Sequence, residues 1–181
     1  MHRYWSFYLD IGAGKGRTAE HVLVKLFKIV DLVEPTENLM SQAKTRLEQK
    51  NKGKIGHYYQ VSMTDLVLEE KYDLIWFQWV VGHLTDLDFV ELMKKCAASL
   101  TENGVIVLKE NFASAGYSFY LDKEDHTVMR SKDYFVQLFN KANLEMVTVE
   151  KFENFPKDLL PVYKMCLRPG KAKKQPKPSK I

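Results

Sequence analysis

A chain of 181 residues with 45% hydrophobic and 12% aromatic side chains is long enough for one well-buried domain, short for two, and too apolar for a disordered polymer. No uninterrupted apolar run nears the ~20 residues of a membrane helix, and the first residues carry no signal-peptide pattern, so a soluble intracellular chain is expected. The net charge of +4 resides in 170–181, where Lys171, Lys173, Lys174, Lys177 and Lys180 stand without an acid, leaving a nearly neutral body.

In chain order, Leu9, Asp10 and Ile11 form an apolar strand that runs into Gly12, Ala13, Gly14, Lys15, Gly16 and Arg17, and then into helix-forming sequence. Glycines there allow positive φ and close passage of a ligand, and the N–H groups of the following helix attract a carboxylate or phosphate. A second strand, 28–33, ends on Glu34, roughly 20 residues beyond the loop, where a doubly wound fold places a ribose-binding acid. Pro35 stops it, and a helix follows with Leu39, Met40, Ala43 and Leu47 on one face. The glycines at 12, 14 and 16 do not offer the third glycine of a dinucleotide fingerprint. That spelling favours S-adenosylmethionine over a dinucleotide, the other reading being a glycine turn kept for packing that binds nothing. Arg17 suits the methionine carboxylate, or else is a solvated first-turn residue.

Strands are predicted next at 57–61, 72–76 and 105–108. Between the last two, Thr85 caps a helix with Phe89, Leu92, Met93, Cys96 and Leu100 on its apolar face, and Asp88 closes a capping box. Asn103 and Gly104 end that connection. Ser131 starts a further helix, buried through Phe135, Leu138, Phe139 and Ala142. A final pair, 146–152 and 162–167, is joined by a loop containing Asn154, Phe155 and Pro156, and reads as an antiparallel edge. Alternating strands and helices make an α/β, Rossmann-like fold of roughly seven mostly parallel strands with helices on both faces. Cys96 and Cys166 have no metal-ligand spacing and are expected as buried reduced thiols.

Three stretches carry candidate chemistry at the carboxyl ends of strands. Residues 76–86 crowd Trp76, Gln78, Trp79 and His83 together. Trp76 reads as core by alternation, Trp79 as core or ligand platform, and His83 as a capping or core histidine before a base. Lys109, Glu110 and Asn111 end the fifth strand, and 121–125 hold Asp122, Glu124 and Asp125. Exposed loop acids carry little weight alone.

Together these motifs resemble the protein N-terminal methyltransferases that act on the α-amine of Xaa-Pro-Lys/Arg starts. The likeness covers about 9–168 and is carried by 10–17, 76–86, 103–111 and 121–125. It implies a class I S-adenosylmethionine-dependent methyltransferase domain over 1–168 and a basic Pro/Lys-rich tail at 169–181. On the cofactor side it implies Gly12, Gly14 and Arg17 at the methionine end, Glu34 at the ribose where the family usually has aspartate, Met63 and Thr64 flanking the adenine, and Gln78 lining the pocket. On the substrate side it implies Trp79 against the proline ring, Asn111 on the peptide, and Asp122 with Asp125 facing the cation. Asp125 and His83 match the family's proposed base positions, and the by-product would be S-adenosylhomocysteine.

The family's segment before the first strand, with an aromatic-Trp pair and a glycine-rich aromatic turn, is not matched by 1–6. Tyr4 and Trp5 are expected on the first strand, buried. Leu160 stands where the family tends to have a substrate-facing tyrosine, Glu110 stands for aspartate, and an insertion falls within 113–120, where Tyr117, Phe119 and Tyr120 could close the site. A catalytically weak or inactive S-adenosylmethionine-binding module that associates with a full-length relative is the alternative. A small-molecule methyltransferase is disfavoured by the acidic mouth. No metal, membrane or nucleic-acid partner is expected, apart from the basic tail, which reads as a solubilising end or a nuclear-import signal; nucleus and cytoplasm are the expected locations.

Overall fold

The computed structural model describes residues 6–51, 53–153 and 159–170. Seven strands make one sheet in the order β3-β2-β1-β4-β5-β9-β8. They are β1 (Phe7–Ile11), β2 (Ile29–Val33), β3 (Ile55–Tyr59), β4 (Tyr72–Gln78), β5 (Leu100–Asn111), β8 (Leu144–Lys151) and β9 (Val162–Pro169). β1 to β5 pair in parallel, while β9 runs antiparallel to both β5 and β8. Strand order reverses at β1, which lies between β2 and β4, so their carboxyl ends form the crevice where such folds bind ligands. A separate hairpin pairs β6 (Phe119–Asp122) with β7 (Thr127–Arg130).

Alternation along the strands splits the core into two layers. Leu9, Ile11, Ile75, Phe77, Ile106 and Leu108 pack on one face under α3 (Asp86–Ala98) and α4 (Lys132–Lys141). Tyr8, Val30 and Leu32 pack on the other, under a π-helical turn (Ala19–Leu23), α1 (Val24–Leu26) and α2 (Glu37–Lys50). Phe89, Phe135 and Phe139 join α3 to α4 with ring centroids 5.7–5.9 Å apart. Truncating any of them to alanine would cost about 3–5 kcal/mol. The expected caps are formed: Thr85 accepts from the Asp88 amide, and Ser131 accepts from the Tyr134 amide. The π-helical turn is pinned through Glu20, whose carboxylate accepts from Arg46 at 2.9 Å and Lys50 at 3.0 Å; these two cations hold it down at about 2.

Several boundaries differ from the sequence reading. β3 starts at Ile55 rather than His57, because Gly56 is required inside it: a Cβ there would lie 2.3 Å from Asp31 Oδ1. β5 starts at Leu100, not Val105. Asn103 and Gly104 lie within an irregular stretch where the register passes from Tyr72↔Leu100 to Leu74↔Val105, and a Cβ on Gly104 would stand 2.7 Å from the Tyr72 carbonyl oxygen. The acids of 121–125 are not in a simple loop but on the tip of the β6–β7 hairpin. The helix after the glycine loop opens with a π-helical turn. Cys96 is buried and free as expected, whereas free Cys166 is only half-buried. Tyr4, Trp5, the Asn154, Phe155 and Pro156 loop and the tail beyond Gly170 lie outside the described residues.

Candidate active site

The turn after β1 is held by its own main chain. Gly12 and Ala13 donate to the Val33 carbonyl at 2.9 and 3.0 Å, and Gly16 donates to Ala13. Gly12, Gly14 and Gly16 have φ of 77°, 54° and 71°, in the left-handed region. A Cβ on Gly14 would meet nothing within 4 Å, so open space lies above the turn. A Cβ on Gly12 would lie 2.6 Å from Val80 Cγ2, so this glycine lets β1 approach the residues after β4.

Two carboxylates serve this turn. Glu34, buried, accepts from the Gly14 amide at 3.0 Å and the Thr36 amide at 2.9 Å. Asp10 is buried with Oδ2 lacking a hydrogen-bond partner among the described residues, and burial pushes its carboxyl up to about 7. An orphaned buried acceptor beside a glycine cradle fits a ligand that brings N–H and O–H donors, as a methionine ammonium and a ribose diol do. Arg17 is exposed in the first helical turn, Gln78 is half-buried at the end of β4, and Met63 is half-buried against the core. Thr64 is exposed; its hydroxyl lies 2.7 Å from Ser62 Oγ, and its carbonyl accepts from Lys95.

Beyond β4 the chain makes an elbow. Trp79 has φ of 51°, costly for a bulky side chain by about 1–2 kcal/mol, and is 46% exposed. Four contacts from β5 hold the elbow. The Trp79 amide donates to the Lys109 carbonyl at 3.1 Å, the Val80 and Val81 amides donate to Glu110 Oε1 at 3.0 and 3.3 Å, and Lys109 Nζ stands 4.5 Å from the indole centroid. The same ammonium lies 4.9 Å from the Phe152 ring, and its desolvation lowers the lysine pKa.

A cavity of about 620 Å³ opens between the elbow and the hairpin. Trp79, His83, Asn111, Asp122 and Asp125 all line it, as do Glu110 and Arg130. His83 is exposed on a 3-10 turn (Val81–His83). Asn111 Nδ2 donates to the Leu160 carbonyl at 2.9 Å and more weakly to that of Pro161, so the side chain braces the strand entering β9. Asp122 Oδ1 accepts from the Glu124 and Asp125 amides at 2.9 and 3.1 Å, which orders the acidic tip. Arg130, 1% exposed, pairs with Asp86 at 2.9 Å and donates to the carbonyls of Val81 and Leu84, tying the hairpin to the 3-10 turn. Gly82 permits this docking, since a Cβ there would already press on Thr127 at 3.1 Å.

The expected substrate-side residues thus share one cavity. Gly12, Gly14, Arg17, Glu34, Met63, Thr64 and Gln78 do not line it; Val80, which stands against Gly12, links the two sides through its amide bond to cavity-lining Glu110. Trp76, expected as core, is half-buried against the second layer, and its buried indole Nε1 has no partner among the described residues. Arg130 escaped the sequence reading of the site, because a charged residue in a strand reads as surface until a neighbour covers it. Asp10, Lys109 and Glu110 were named within its motifs but given no role; the place of Asp10 directly before the glycines was a usable signal.

Residues 1–168 match the family described as AdoMet dependent proline di-methyltransferase. The chain is 44% identical over 160 residues to alpha N-terminal protein methyltransferase 1 of Dictyostelium discoideum, covering 88% of this chain and 58% of that protein. It is 40% identical over 161 residues to N-terminal Xaa-Pro-Lys N-methyltransferase 1 of Homo sapiens, covering 88% and 71%. A solved SAM-dependent methyltransferase from Leishmania major superposes with a TM-score of 0.84 at 37% identity, over 91% of this chain and 65% of that one. The chain therefore spans 58% of the Dictyostelium protein and 65% of the Leishmania chain.

Proposed function

Because the chain belongs to the AdoMet dependent proline di-methyltransferase family, we propose that it methylates the free α-amine of protein N-termini of Xaa-Pro-Lys/Arg type, using S-adenosylmethionine. The observation that carries this reading is one cavity gathering an indole, a carboxamide and an acidic rim, linked through the Val80 amide on Glu110 to a glycine turn beside which a buried Asp10 oxygen has no partner among the described residues. When bound, S-adenosylmethionine supplies an electrophilic methyl group on a sulfonium. Asp10, Gly12, Gly14, Arg17 and Glu34 would hold it, with Met63, Thr64 and Gln78 around its base and pocket.

The chain's own residues must present a nucleophile. A terminal amine has a pKa near ~8, so at neutral pH it is largely an ammonium without a lone pair. The acidic rim receives that cation and the lysine that follows, and Asp125 with His83 stands where the family resemblance nominates a proton acceptor. The exposed face of Trp79 offers a platform for a proline ring, and Asn111 offers an amide to the peptide. Alignment is the larger contribution: it can supply about 7–11 kcal/mol, against ~10²–10⁴ in rate from general base catalysis. The lysines at 171–180 support a nuclear as well as a cytoplasmic location, which imaging the chain with and without 170–181 would test.

Mass spectrometry of an Ala-Pro-Lys peptide incubated with the chain and S-adenosylmethionine tests the reading. Mass gains of 14 Da steps, about one methylene each, are expected on the free peptide and none on its N-acetylated form. Stabilisation by the cofactor without turnover on any such peptide would instead support the binding-module alternative.

A further inference from the structure

Glu110 differs from every other acid of the cavity in where it sits. It is 8% exposed, whereas Asp125 and His83 are exposed and Asp122 is half-buried with Oδ1 engaged by two amides. Its Oε1 accepts from both Val80 and Val81, so the carboxyl is fixed directly beneath the Trp79 elbow while still lining the cavity. We propose that Glu110 takes the proton from the terminal ammonium of the substrate, and that Asp125 and His83 at the rim hand it on to solvent. The proposal rests on the functional reading above.

In the step, an N–H bond of the ammonium breaks and an O–H bond forms on Glu110, leaving the electron pair on nitrogen for the incoming methyl group. The proton then leaves for water as the carboxylate is restored. The charged and titratable groups around Glu110 are Arg130 from β7, its partner Asp86 from α3, His83 from the 3-10 turn, Asp122 and Asp125 from the hairpin, and Tyr163, its register partner on β9. Burial raises the Glu110 carboxyl to about 7, opposed by the two amides and by Arg130. That lies within about one unit of a terminal amine, so transfer between them is close to balanced.

Calorimetric titration of the whole chain with a hexapeptide beginning Ala-Pro-Lys, in buffers of different ionisation enthalpy and without cofactor, tests the assignment. At pH 6 both the ammonium and Glu110 enter protonated, so a complex in which they share one proton releases about one proton per peptide. At pH 8 the release vanishes or reverses. Glu110→Gln, which keeps an oxygen for the Val80 and Val81 amides, is expected to bind the peptide with no release at pH 6. Binding with undiminished release in Glu110→Gln overturns the assignment alone; absence of binding by the wild-type chain overturns the functional reading and the assignment with it. A check needing no variant is the carboxyl carbon resonance of Glu110 in ¹³C-glutamate-labelled protein. It must titrate near pH 7 in the free chain and cease to titrate between pH 6 and 8 with peptide bound; unchanged titration refutes the proposal.

Discussion

The turn at 12–16 and the cavity behind Trp79 are linked by Val80, which stands against Gly12 and whose amide bonds the cavity's Glu110, yet different ranges of sequence hold them. The turn is closed by main-chain bonds to Val33 and by Glu34, 20 residues from Gly14. The cavity depends on side chains reaching 30 residues from Glu110 to Val80, 44 from Arg130 to Asp86 and 49 from Asn111 to Leu160. The first is a local device suited to a ligand shared by many enzymes. The second is a tertiary assembly, which is where selection among substrates can be varied without disturbing the turn.

If the two regions are as separate as this implies, changes in one should spare the other. Arg130→Met is expected to have the largest effect, about 3–4 kcal/mol of stability, because Asp86 loses its buried cation and two carbonyls lose a donor. For a chain of this size that is a Tm fall of about 6–16 °C. Below the new Tm, peptide binding should be lost and cofactor binding kept. Gly12→Ala tests the link at Val80. Its left-handed φ and its clash with Val80 together cost about 2–4 kcal/mol, and both ligands should bind more weakly in calorimetry. Equal loss of both ligands in Arg130→Met would erase the distinction.

Asp10→Asn probes the turn through pH. The folded carboxyl holds its proton up to about 7, while the unfolded one releases it near 3.8, so the fold binds more protons between these values and loses stability as pH rises through them. The asparagine variant lacks this loss. Its Tm should match wild type at pH 4 and exceed it at pH 8, while cofactor affinity falls. Gly14→Ala is expected to be mildest for stability, about 1 kcal/mol, since φ is 54° and the added methyl meets only open space; a melt shifted by several times that would show the space is not open.

What could be read from residues alone follows the same division. The place of Glu34 after β2 was legible from spacing, Thr85 with Asp88 and Ser131 from capping chemistry, and the buried faces of α3 and α4 from helical period. Phe119, Tyr120 and Leu121 hid β6 because all three are exposed, so no alternation marks a strand. Gly104 read as the end of a connection and the third strand was placed only after Gly56, yet each glycine sits inside a strand where a neighbour leaves no room for a Cβ. Glu110 and Arg130 stood in plain view, but their burial is created by the elbow and the hairpin meeting in space. Only the assembled chain makes them cavity residues.

Arg130 has one more implication. A single guanidinium fastens the hairpin to the carbonyls of Val81 and Leu84, immediately after the strained indole. Swinging the hairpin outward to admit a bulky N-terminus must either tear that fastening or drag the tryptophan along. Under the proposed function, admission of a peptide and orientation of the indole platform for its second residue would thereby be a single mechanical event.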